Sequence, residues 1–151
     1  MSYDDLTDAS SCVLPPASGA PDRLRIAASG VLADARFDPV ALAAFETAPG
    51  DEDIRLVLAH RPRVVTSLAP DTRVDLVVAG HTHGGQVAFP WIGPPIVLSP
   101  LPNRVAAGGL HALDGRRLYI SRGVGMERFQ APRIRFLVPP EVTLLTLERE
   151  A

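Results

Sequence analysis

Apolar positions along this chain gather in short runs that break on glycine, proline or histidine. Residues 74–79 are apolar except for Asp75 and end in Gly80-His81-Thr82-His83-Gly84-Gly85-Gln86, which reads as a buried strand running into a tight, backbone-permissive loop. Residues 54–59 form a second apolar run with one charge, Arg55, and end in His60, with Arg61-Pro62 closing the run. Between them, residues 64–68 predict a short helix that leads through Pro70-Asp71. The order is strand, helix, strand, with a histidine closing each strand. In a parallel unit of this kind both strands end on one edge of the sheet, so His60, His81 and His83 are expected to converge there.

The rest of the chain adds elements around this unit. Residues 24–28 read as a strand leaving at Ser29-Gly30, and Asp38-Pro39 opens a capped helix that runs to Glu46 and stops at Pro49-Gly50. Residues 1–22, rich in Asp, Ser, Pro and Gly, predict a flexible lead-in, leaving 23–151 as the domain. After the histidine loop, residues 96–98, 117–121, 133–136 and 142–147 read as strands, with Asp114-Gly115 as a hairpin turn. The proline-rich segment 86–95 reads as a rigid edge loop that packs Trp91, with a lid as the alternative. His111, near a turn, is left out of the site. The fold class is therefore α/β, a parallel strand-helix-strand unit followed by a mostly β carboxyl half.

Composition narrows the class. The 151 residues are 46% hydrophobic and 21% charged, enough for one packed domain. All basic residues are arginine and they are scattered, so no nucleic-acid patch forms. One cysteine, Cys12, excludes an internal disulfide. The acidic amino terminus has no signal-peptide pattern, and no apolar run is long enough to span a membrane. The expected location is cytoplasmic.

On an extended backbone His81 and His83 would point the same way, but a glycine-flanked turn can splay them towards two neighbouring ions. Taken alone, the pattern equally suits a glycine turn carrying two solvated histidines. The strings Leu58-Ala59-His60-Arg61-Pro62, Gly80-His81-Thr82-His83-Gly84-Gly85-Gln86, Pro90 to Pro94, Leu118-Tyr119-Ile120-Ser121-Arg122-Gly123-Val124-Gly125 and Pro140-Glu141-Val142-Thr143-Leu144-Leu145 together resemble the carboxyl half of a calcineurin-like metallophosphoesterase of a bacterial subgroup. The resemblance implies a partial metallophosphoesterase sandwich and a phosphomonoester- or phosphodiester-hydrolysing enzyme that uses divalent Mn, Fe, Zn or Mg, dinuclear in the complete domain. It also implies that His60 and His81 are ligands of one metal and His83 of the other. Arg122 resembles a phosphate contact, with sheet-edge packing as the plainer alternative.

The departures from the family pattern matter as much. The Asp-x-His, Gly-Asp and Asn-His motifs that supply carboxylates, amide ligand and catalytic histidine in the family are missing before His60, apart from a misplaced Gly50-Asp51. Three neutral imidazoles do not offset two divalent ions within ~4 Å of each other. One ion on three histidines remains chemically sound, since Zn²⁺ accepts such a set with an open position. The expectation is a truncated member, inactive alone, with an apolar sheet face open to a complementing chain or a homo-oligomer. The alternative is a non-catalytic remnant that holds at most one ion and acts by association.

Overall fold

The computed structural model describes residues 10–14, 24–29, 54–126 and 133–146, the first two segments as backbone only. Six strands, β1 (Ser10–Leu14), β2 (Leu24–Ser29), β3 (Ile54–Ala59), β4 (Leu76–Ala79), β5 (Gly109–Leu113) and β6 (Arg116–Ile120), form one sheet in the order β1-β2-β3-β4-β6-β5. The inner strands β2, β3, β4 and β6 are mutually parallel, whereas β1 and β5 lie antiparallel at the two edges.

Register explains where the core sits. Val57, Val77 and Leu118 stand side by side across three strands, and Ala59, Ala79 and Ile120 form the next row on the same face. These rows pack with Val64, Val65, Leu68, Val97, Leu101 and Val105 in one cluster. Each fully buried Val or Leu contributes about 1.5–3 kcal/mol. On the opposite face the row Leu58, Val78 and Tyr119 is covered thinly, and Leu58 is exposed.

The connection from β3 to β4 is a 3-10 turn over Pro62–Ser67 where the sequence predicts a helix over 64–68. Leu68 is already extended, and Pro70 disfavours helical backbone in the residue before it, so no α-helix can propagate. Buried Arg116 on β6 donates to the carbonyls of Ala69 and Thr72 and ties this connection down. β4 begins at Leu76 because Asp75 bonds sideways: its Oδ2 accepts from the Arg55 N–H at 2.7 Å, and its own N–H donates to the Arg55 carbonyl.

Several expectations are corrected. The described residues of 96–98, 133–136 and 142–147 form no strand, and Phe136 makes only an isolated bridge to Val87. Prolines at 94, 95, 100, 102, 139 and 140 remove donors and break the continuity that a ladder needs. Trp91, expected to pack in an edge loop, is instead fully exposed among the described residues. Within the expected lead-in, residues 10–14 are strand β1, while the helix expected over 38–46 lies outside the described residues. The Asp114-Gly115 hairpin holds, both residues being left-handed (φ 51 and 76) as a type I′ turn requires. No described helix is long and apolar enough to cross a membrane.

Candidate metal centre

Because β3, β4 and β6 are parallel, they deliver their following residues to one sheet edge: His60 after β3, Gly80 after β4, Ser121 and Arg122 after β6. Backbone bonds continue past the strands, with the Gly80 N–H donating to the His60 carbonyl at 3.2 Å and the Ser121 N–H to the Ala79 carbonyl at 2.8 Å. The three strand ends are thereby held together.

The turn that follows β4 is unusual in its backbone. His81, His83, Gly84, Gly85 and Gln86 all have positive φ (70, 48, 64, 75 and 62), with only Thr82 right-handed among them. Three of these are not glycine, and such residues persist only where surrounding contacts impose them. Here the contacts are local bonds, Gly85 N–H to the Thr82 carbonyl, Gln86 N–H to the His83 carbonyl and Gly84 N–H to Thr82 Oγ1, and the side chain of Gln86 is buried. Gly84 and Gly85 permit close approach: a Cβ on Gly84 would lie 2.7 Å from Val138 Cγ1, and one on Gly85 2.6 Å from the Ile96 carbonyl oxygen. The left-handed backbone splays the two histidines, as a glycine-flanked turn allows. His81 meets His60, while His83 lies beside Gly125, whose added Cβ would be 3.4 Å from His83 Cε1.

His81 Nδ1 stands 3.0 Å from His60 Nε2, with the rings edge to face and their centroids 4.7 Å apart. Two nitrogens that share one ion at ~2.0–2.1 Å, at tetrahedral or right angles, sit about 2.9–3.4 Å apart. The contact is itself a hydrogen bond, one ring nitrogen donating and the other accepting according to tautomer, and its length is also that between neighbouring ligands on one ion. His83 Nδ1 is buried and has no hydrogen-bond partner among the described residues, the condition of a donor atom left for something absent. Burial, with smaller contributions from Arg61 and His83, holds the His60 imidazole below its ordinary value, so its lone pair stays free of a proton to lower pH. Among the described residues, however, no three His, Cys, Asp or Glu side chains form a ready metal-holding group. The histidines thus fit the nitrogen share of a site and not a complete one.

Arg122 lies at the same edge, but much of it is engaged. Its stem packs over Gly84 and Gly108, its Nε donates to the Ala107 carbonyl at 3.2 Å, and its Nη1 is 3.8 Å from Glu141 Oε2. The sequence did not single out the residues that brace it. Tyr119 donates to Glu141 Oε1 at 2.6 Å, and that bond is the largest cause holding the Glu141 carboxyl below its ordinary range. Arg135 donates to the carbonyls of Arg122, Gly123, Gly125, Val138 and Pro139, clamping the loop beside His83. The strings over 118–125 and 140–145, which contain Tyr119 and Glu141, were the sequence signals for this brace, while Arg135 had none.

Comparison with known proteins gives relatives for about three fifths of the chain. It is 35% identical over 98 residues to an uncharacterized metallophosphoesterase, YkuE, of Bacillus subtilis, a match covering 65% of this chain and 32% of that protein. It is 40% identical over 93 residues to phosphodiesterase YaeI of Escherichia coli, covering 62% of this chain and 32% of the relative. It is 37% identical over 98 residues to UDP-2,3-diacylglucosamine pyrophosphatase LpxG of Chlamydia trachomatis, covering 60% and 28%. The chain thus spans about a third of the length of these relatives. No family model and no solved structure matches it.

Proposed function

We propose that over the part shared with these relatives the chain is part of a calcineurin-like metallophosphoesterase domain, with His60, His81 and His83 as the histidine share of a phosphoester-hydrolysing metal centre. The observation that carries this is the 3.0 Å approach of His81 Nδ1 to His60 Nε2 at the edge shared by two parallel strands. When bound, a divalent ion (Mn, Fe, Zn or Mg) supplies Lewis acidity towards a phosphoryl oxygen and towards water. The chain's own residues bind and orient. His60 and His81 would present adjacent nitrogens once an ion displaces the proton they share, His83 would present a third from the splayed turn, and Gly84 and Gly85 leave the loop slim beside them.

Arg122 is proposed as a phosphate contact, since Nη2 takes no part in its bonds to Ala107 and Glu141. The substrate class is a phosphodiester or pyrophosphate linkage, as the names of two relatives suggest. In this reading the carboxylates, the catalytic histidine and the second sheet of a sandwich, which together complete a dinuclear site, come from protein outside this sequence, and the chain alone hydrolyses phosphoesters negligibly. The setting is cytoplasmic. A second reading, a one-ion remnant acting by association with another chain or copy, is favoured by the exposed Leu58 on the thinly covered sheet face.

Titration of the purified chain with Zn²⁺ and Mn²⁺, alongside hydrolysis of a chromogenic phosphodiester, tests the assignment. The expected result is one ion per chain at most, lost in His81→Ala, with no metal-dependent turnover. Binding that persists in His81→Ala overturns the ligand set, and turnover that is lost in His81→Ala overturns the dependence on outside residues.

A further inference from the structure

Trp91, the chain's one tryptophan, stands at the tip of a closed loop. Phe89 and Gly93 exchange backbone hydrogen bonds at 3.0 and 2.9 Å, and the Ile92 N–H donates to the Pro90 carbonyl at 2.8 Å. Trp91 is thereby the centre of a γ-turn with φ 64, a strained conformation for an aromatic residue. The strain secures no internal packing. Trp91 is 102% exposed, Ile92 78% and Ile96 70%. The foot of the loop is fixed: Pro94, Ile96 and Val97 close on Gly85, and Asn103 Nδ2 donates to the Pro94 and Pro95 carbonyls at 3.4 and 3.2 Å.

Charge follows the same axis. Between Asp75 and Asp114 the sequence has no acidic residue, and apart from histidines its one formal charge is Arg104, exposed beside Asn103 at the foot. A rigid apolar tip over a basic foot suits a lipid interface, where an indole settles at the headgroup level and a guanidinium pairs with phosphate. The absence of carboxylates removes repulsion from an anionic leaflet. A convex tip, by contrast, offers a second copy no flat self-complementary face.

We propose that residues 89–96 dock this protein on a phospholipid surface, with Trp91 and Ile92 in the interfacial layer and Arg104 at the headgroup phosphates. Because the loop is mounted on Gly85, docking brings the turn of His81 and His83 close to the headgroups. The inference goes beyond the phosphoesterase reading and needs no metal.

The sole tryptophan makes the test direct. The whole chain, without added metal, is mixed with vesicles of phosphatidylcholine containing a minority of phosphatidylglycerol. Trp91 emission is expected to shift to shorter wavelength, to be quenched by lipids brominated near the headgroup end of the acyl chain, and to accompany co-sedimentation. The double substitution Trp91→Ser, Ile92→Ser removes no internal packing and is expected to weaken co-sedimentation by about tenfold or more, with the far-ultraviolet circular dichroism unchanged. Unshifted emission, or co-sedimentation undiminished in the double variant, overturns the proposal. So does emission already at short wavelength in a lipid-free dimer, which would mean that a second copy covers the tip.

Discussion

His81 Nδ1 and His60 Nε2 stand 3.0 Å apart, one residue beyond β3 and two beyond β4, at an edge that parallel pairing makes common to both strands. The burial of His60 has a consequence for pH. Burial holds the folded His60 pKa below 6.5, so between that lowered value and 6.5 the unfolded chain binds more protons than the folded one. Stability is then full above 6.5 and falls as the solution is acidified through this window. The urea midpoint measured against pH should show the fall, and His60→Gln should flatten it. An equally steep profile in the variant would assign the pH dependence elsewhere. Metal uptake, which needs unprotonated imidazole, should weaken in the same direction.

Tyr119 and Glu141 give a second titration. The Tyr119 hydroxyl is the largest cause of the depressed Glu141 carboxyl, ahead of the smaller contributions of Thr143 and Arg122. Burial opposes that shift, so Tyr119→Phe should raise the Glu141 pKa towards its ordinary value. Carboxyl ¹³C shifts followed through an acid titration read this directly. The stabilisation that Glu141 contributes is present above 4.5 and lost as pH falls, and the variant should lose less of it. No movement of the carboxyl would mean that Arg122 and Thr143 carry the shift.

Gly85 and Gly115 share nearly the same φ, 75 and 76, but not the same surroundings. An added Cβ at Gly85 would meet the Ile96 carbonyl oxygen at 2.6 Å and Pro94 Cβ at 2.8 Å, while at Gly115 nothing lies within 4 Å. Gly115→Ala should cost only the left-handed penalty, about 1–2 kcal/mol. Gly85→Ala should cost about 2–5 kcal/mol, because overpacking adds to it. Urea denaturation of both variants separates the two contributions, and equal losses would show that the loop over Gly85 yields freely.

The parts of the fold legible in the sequence were those whose stability is local or repetitive. β3 and β4 announced themselves because strands flanked on both sides by other strands need near-continuous apolar runs, and the Asp114-Gly115 hairpin because only certain residues accept two left-handed positions. Residues 96–98, 133–136 and 142–146 carry equally strand-like side chains and are not strands, since a strand also needs a partner with free donors at the right register. β5, with its Gly109 start, had too little apolar alternation to be seen. The meeting of His60 and His81 followed from parallel order, whereas His83 joins them in no three-residue group among the described residues, and the orientation of the rings did not follow. It depends on the left-handed turn at His81 and His83, and on a brace from Tyr119, Arg135 and Glu141, distant in sequence, that no periodicity encodes.

Arg135 is the centre of that brace. Its guanidinium donates to the carbonyls of Arg122 and Gly123 at 2.9 and 3.0 Å, to that of Gly125, and to those of Val138 and Pro139 at 3.2 and 3.4 Å. Five donors in a planar fork can serve such a ring of acceptors, whereas an ammonium serves them only as a point charge from one position. Arg135→Ala should lower stability by about 2 kcal/mol, the scale of hydrogen bonds to a charged group made partly in solvent. Arg135→Lys should recover less than half of that. Because Gly125 lies against His83, both variants should also shift the His83 ring signals in a ¹H–¹⁵N spectrum tuned to imidazole nitrogens. Urea midpoints at unchanged slope give the stability loss. Full rescue by lysine would mean that charge alone holds the loop, and an unmoved His83 signal would mean that the clamp does not reach the histidine turn.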